Sequence, residues 1–149
     1  LVPFGRIVDA DESCPTLTFN TIGRHQSSIV RTRVCSNLSP WLAETEPGGV
    51  YSVPISHGEG RFIAPEAVIR SLAERGQVAT QYVDLDGAPS MDTAFNPNGS
   101  LYAIEGITSP DGRILGKMGH SERIGPHLYR NVPGQYDMGL FRSAVKFFK

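Results

Sequence analysis

The sequence predicts a mixed α/β domain with a strand-rich middle and a helix at the carboxyl end. Three observations carry this. Sixteen glycines and eleven prolines punctuate 149 residues, too densely for a helical bundle and as expected for short elements joined by turns. Several segments alternate polar and apolar residues with period two, the mark of strands. Two others place apolar residues three and four apart, the mark of helices. Hydrophobic residues make up 40% of the chain, enough for a packed core, and the length suits one domain.

The elements come in order along the chain. Residues 9–15 are the longest polar stretch and read as an ordinary loop. Residues 16–20 (TLTFN) alternate, and residues 29–34 (IVRTRV) are β-branched with arginines interleaved. Residues 50–56 (VYSVPIS) are strand-like, but Pro54 places part of them at an edge or bulge. A helix opens at Ala64-Pro65-Glu66, where Pro fits the first turn and Glu the positive end of the dipole. Its apolar stripe is Ala67, Val68, Leu72 and Ala73, and Gly76 ends it. Residues 78–83 form the next strand, stopped by Asp86-Gly87. Residues 102–108 and 113–118 flank Ser109-Pro-Asp-Gly112 and make the clearest hairpin. After Pro133-Gly134 the spacing of Met138, Phe141, Val145 and Phe148 predicts a terminal helix with that stripe in the core.

Composition excludes several functions. The net charge is −1, which removes the electrostatic case for a nucleic-acid or membrane-surface binder. No run of about 18 apolar residues predicts a transmembrane helix. Two cysteines, Cys14 and Cys35, are too few for a disulfide scaffold and read as reduced thiols of a cytoplasmic protein. The chain opens on Leu1, with neither Met nor a charged-then-apolar leader.

The candidate chemistry lies in two His-x-Glu segments at the ends of strands. His120 and Glu122 stand two apart, so in an extended segment they point to the same side. A carboxylate beside an imidazole fixes its tautomer and suits it to act as a general base. A surface His with a solvated Glu is the plain alternative. Ser56-His57-Gly58-Glu59-Gly60 puts glycines around a carboxylate, which lets main-chain groups approach a ligand closely; the plain alternative is a tight turn. Asn96-Pro-Asn-Gly-Ser100 reads as a dense turn. Arg24, Arg31 and Arg33 read as a solvated face. Neither Cys14 nor Cys35 has the flanking glycines and following helix that suit a catalytic thiolate. The residues therefore supply a base and its orienter, a glycine-rich loop and no evident nucleophile. A metal-dependent hydrolase or cupin-like protein, ligating an ion through His57, Glu59, His120 and Glu122, is the alternative.

Six segments occur in order: Pro15-Thr-Leu-Thr-Phe-Asn20, Ser56-His-Gly-Glu-Gly-Arg61, Asn96-Pro-Asn-Gly-Ser100, Ile104-Glu-Gly-Ile107, Asp111-Gly-Arg-Ile-Leu-Gly116 and His120-Ser-Glu-Arg123. Together they resemble the class I glutamine amidotransferase domain of single-chain phosphoribosylformylglycinamidine synthase, over nearly the whole chain. The resemblance implies a flavodoxin-like α/β fold, of which residues 1–149 are the carboxyl-terminal portion. It implies a Cys-His-Glu triad with His120 and Glu122 as catalytic members, and Ser56, His57, Gly58 and Glu59 as the glutamine-binding region. Many relatives carry Pro on both sides of the triad His; here Gly119 and Ser121 stand there. The segment Leu1-Val-Pro-Phe-Gly5 resembles the family's stretch just after the helix behind the nucleophile, so the cysteine is expected upstream of Leu1. The resemblance further implies that ammonia from glutamine passes to an ATP-dependent site that aminates formylglycinamide ribonucleotide. Its partners would then be glutamine and the remainder of the synthase polypeptide. No cofactor is expected in this segment, and ATP and Mg belong to the synthase domains.

Overall fold

The computed structural model describes residues 14–149; the Leu1–Gly5 segment and most of the expected loop at 9–15 lie outside it. The described chain holds seven strands and two α-helices, besides two short 3-10 turns: β1 (Thr16–Thr18), β2 (Gln26–Val34), β3 (Val50–His57), β4 (Arg61–Ile63), α1 (Glu66–Glu74), β5 (Val78–Tyr82), β6 (Ile104–Thr108), β7 (Leu115–Lys117) and α2 (Leu140–Phe148). Five strands form one sheet in the order β3-β2-β5-β6-β7, and β1 pairs with β4 in a second. Every one of these pairs is antiparallel. The mixed α/β class and the strand-rich middle are as the sequence predicts.

Pro54 lies in β3, the sheet's edge strand, where its missing N–H costs no ladder bond. The hairpin forms as expected: Gly106 pairs with Lys117 and Thr108 with Leu115. The short strand β4, absent from the sequence reading, continues from the glycine-rich loop and pairs with β1 through Phe62 and Leu17.

The core lies on both faces of the sheet. On one side α1 presses Ile69 and Leu72 against Phe62, Ile104 and Ile107. On the other, Met138 and Leu140 pack with Val34, Leu42, Tyr51, Val53 and Ala79. Both helical stripes are offset from the sequence expectation. In α1, Ala67 and Ala73 are exposed and Ile69 is buried. In α2 the buried residues are Leu140, Ser143 and Ala144, whereas Phe141, Val145 and Phe148 are 58%, 51% and 53% exposed. The reason is that α2 begins only at Leu140, two residues past Met138, after an N-cap at Gly139 with φ 66°. Met138 is buried but precedes the helix, so it sets no phase for it. Ion pairs on the other side hold that phase, with Glu44 taking Arg142 and Lys146, and Arg142 reaching Asp137 at 2.8 Å.

Candidate active site

The residues after β7 turn back toward the sheet edge. His120 donates its backbone N–H to the Pro54 carbonyl at 2.8 Å, and Arg123 closes the turn by donating to the His120 carbonyl at 3.1 Å. Within this turn the His120 Nδ1 lies 2.7 Å from Glu122 Oε1. The pair thus forms across a turn, and the extended geometry expected from the sequence is corrected. Partial burial opposes ionisation of Glu122. Its own backbone N–H, His120 and Arg123 outweigh that and hold the carboxyl below the usual carboxylate range. An ionised carboxylate only accepts. Nδ1 therefore carries a proton, and in the neutral imidazole Nε2 is the nitrogen that presents a lone pair. The pair borders an open cleft whose lining includes Trp41, Met118 and Phe141.

The loop's inner side is tied to a buried ion pair. Lys117 Nζ is 3.2 Å from Glu105 Oε1, with side-chain exposures of 10% and 0%. Glu105 also accepts from Thr80 Oγ1 and from the Gly119 N–H. Lys117 donates further to the Gly119 carbonyl at 3.1 Å and to Ser121 Oγ at 3.2 Å. Burial alone would raise the Glu105 pKa. The charge of Lys117, with the Thr80 and Gly119 hydrogen bonds, overcomes this and keeps it below the usual carboxylate range. Gly119 is packed so closely that a Cβ there would meet Val53 Cγ1 at 2.4 Å and Glu105 Oε1 at 2.9 Å.

The glycine-rich segment leaves the end of β3. Ser56 Oγ is 3.1 Å from His25 Nε2. Asn20, 2% exposed, clamps the turn from three directions. Its Nδ2 donates to the His57 carbonyl at 2.8 Å, its Oδ1 accepts from the Gly60 N–H at 3.0 Å, and its own N–H donates to the Gly58 carbonyl at 2.9 Å. A Cβ on Gly60 would lie 2.2 Å from His57 Nε2 and 2.8 Å from Asn98 Nδ2. Both His57 Nε2 and Asn98 Oδ1 are buried without a hydrogen-bond partner. Burial pushes the His57 imidazole below its ordinary value, as do His120 and His25; Asn98 and Glu105 act the other way. His57 is therefore held neutral and recessed, while Glu59 faces solvent.

The turn at Asn96–Ser100 is no surface turn. Asn96, Asn98 and Ser100 are fully buried. Ser100 Oγ donates to the Gly60 carbonyl at 3.2 Å and accepts from the Phe62 N–H at 3.1 Å, and Asn98 donates to Tyr82 Oη at 2.8 Å. This segment frames the glycine-rich loop from beneath. Of the strand arginines, Arg31 donates to the Leu85 carbonyl and Arg33 to Gln81 Oε1, so both brace β5 and the loop after it.

The metal reading fails. Among the described residues no group of three or more His, Cys, Asp or Glu could hold an ion. His57, Glu59, His120 and Glu122 do not converge, because Glu122 is committed to His120 and Glu59 faces solvent.

The model of the CobB/CobQ-like glutamine amidotransferase domain matches residues 1–148. The chain belongs to that family. Among curated proteins, the PurQ subunit of phosphoribosylformylglycinamidine synthase from Gloeobacter violaceus is 44% identical over 106 residues, covering 71% of this chain and 44% of that protein. The PurQ subunit from Symbiobacterium thermophilum is 34% identical over 127 residues, covering 85% of this chain and 52% of its own length. The chain thus spans about half the length of the curated relatives it matches. A chain in the structure of PurLQS from Thermotoga maritima superposes with a TM-score of 0.66 at 25% identity, covering 91% of this chain and 54% of that one.

In this glutamine amidotransferase domain the structure brings His120 and Glu122 together as the sequence expects. It also sets Ser56 and His57 on the strand that anchors His120. The sequence reading gave no role to Asn20, Asn98 or Glu105, which it named only within the segments that carry the resemblance, and it missed Lys117. A signal existed for Glu105: one charge within the apolar run Ile104–Thr108, a pattern that predicts a buried carboxylate in need of a partner.

Proposed function

We propose that this chain is part of the glutaminase of a phosphoribosylformylglycinamidine synthase. The observation that carries the reading is the His120–Glu122 pair, 2.7 Å apart in a turn pinned to the strand that bears the glycine-rich loop. His120 Nε2 takes the proton of a cysteine thiol and later gives one to the departing ammonia, while Glu122 holds the imidazole in that tautomer and balances its charge. Glutamine lies along Ser56, His57, Gly58 and Glu59, bound largely by main chain. The ammonia goes to the remainder of the synthase polypeptide, where ATP and Mg support amination of formylglycinamide ribonucleotide in the cytoplasm. The family match and the PurQ relatives support this assignment.

The chain by itself is inactive toward glutamine in this reading. Cys35 donates its thiol to Gln81 Oε1 at 3.2 Å. Burial raises its pKa, with Arg33 only partly opposing, so it stays a thiol bonded to Gln81. The test uses the complete synthase. His120→Ala abolishes glutamine-dependent synthesis and leaves synthesis driven by added ammonia intact. Equal loss of both activities would refute a purely glutaminase role.

A further inference from the structure

The Glu105–Lys117 pair is costly on its own terms. Taking two charges out of water is often repaid no better than by apolar side chains of the same volume. Its placement supplies a reason to keep it. The Lys117 ammonium is ion-paired with Glu105 and donates hydrogen bonds to the Gly119 carbonyl and to Ser121 Oγ. Glu105 in turn takes the Gly119 N–H with one oxygen and Thr80 of β5 with the other. The pair therefore grips the residue before His120 and the residue after it, and roots that grip in the central sheet. Neither position could be Pro here without losing a donor or a hydroxyl that the pair uses.

We propose that Glu105 and Lys117 are positioning residues for His120, acting through Gly119 and Ser121 to hold the imidazole at the angle the Glu122 hydrogen bond and proton transfer require. This rests on the glutaminase reading for its kinetic arm alone. Misplacing a catalytic group by about 1 Å costs on the order of 10²-fold in rate, so a loosened turn reads out in kcat before it reads out in stability.

The test is the double variant Glu105→Gln/Lys117→Met in the complete synthase, which removes both charges and leaves neither unpaired. Expected is a glutamine-dependent kcat at least about tenfold lower, with KM for glutamine within twofold and ammonia-dependent synthesis unchanged. NMR of 15N-histidine-labelled protein, with the signal assigned by His120→Ala, supplies the second readout. The hydrogen-bonded Nδ1 proton of His120 is present in the parent and lost in the double variant. A folded double variant with kcat within twofold of the parent and an intact Nδ1 proton overturns the proposal. Proportional loss of both activities overturns it too, as general damage to the fold. If the double variant does not fold, Ser121→Ala carries the test: a fall in kcat of threefold or more supports the proposal and an unchanged kcat refutes it. Should His120→Ala leave glutamine-dependent synthesis intact, the glutaminase reading fails, and the Nδ1 signal still decides the positioning role.

Discussion

Glu122 is exposed for half its side chain, yet its tie to His120 is short. Hydrogen bonds to a charged partner keep their strength better than exposed ion pairs do. Glu122→Ala leaves the imidazole free to take either tautomer. It lowers the glutamine-dependent kcat by about 10²-fold or more, read by steady-state glutaminase assay, with ammonia-dependent synthesis as the control. Gly119 predicts a different kind of failure. Gly119→Ala drives a methyl into Val53 and the Glu105 carboxylate. It destabilises by about 1–3 kcal/mol, as overpacking does, measured by denaturant midpoint. At this scale the sequence anticipated the contact between His120 and Glu122, because a spacing of two brings them near in a turn as well as in a strand. It hid Lys117, which in a short strand beside glycines looks like any solvent-facing lysine. It also hid Asn20, three of whose hydrogen bonds go to residues about 40 positions away.

The strands were legible wherever period two met a turn signal, as in β5, β6 and β7. Helix phase was not, because in α2 the aromatic residues lie exposed and the buried positions are Leu140, Ser143 and Ala144. Phe141 and Phe148 do find a partner, the Trp41 ring, with centroids at 6.5 and 6.1 Å, but on the outer side of the helix. The offset is testable. Leu140→Ala removes a side chain from the core cluster and costs about 2–5 kcal/mol. Val145→Ser on the exposed face stays within about 0.5 kcal/mol. Thermal unfolding of the two variants side by side checks it, and the reverse order would restore the stripe read from the sequence. The glycine-rich loop teaches the same lesson: the Asn96–Ser100 segment reads as a plain turn because its composition is that of one, and only its burial reveals a frame.

At the scale of the whole molecule, Glu105 is the buried carboxylate among several whose ionisation ties the fold to acid. Its pKa is lowered in the folded protein, so its contribution to stability is present above the unfolded value of about 4.3. That contribution is lost as pH falls through the lower, folded value. Glu105→Gln/Lys117→Met removes this term, and its unfolding midpoint falls less steeply than the parent's below about pH 4. An identical acid limb in both proteins would mean that other carboxylates govern it. The overall class was legible because punctuation density and periodicity are properties of the whole chain. The wholly antiparallel pairing was not, because strand direction depends on connections that composition does not encode.

β3 ends the sheet, and exposed edges invite pairing with other chains. Here Ser52 donates its N–H to the Gln135 carbonyl and Pro54 accepts from His120, each at 2.8 Å. These residues stand two apart on β3, so the segment that carries the candidate base also shields the open side of the strand. A change that frees this segment would therefore do more than slow a reaction. It would bare an unpaired β-strand, and self-association would be the second symptom of an inactive enzyme.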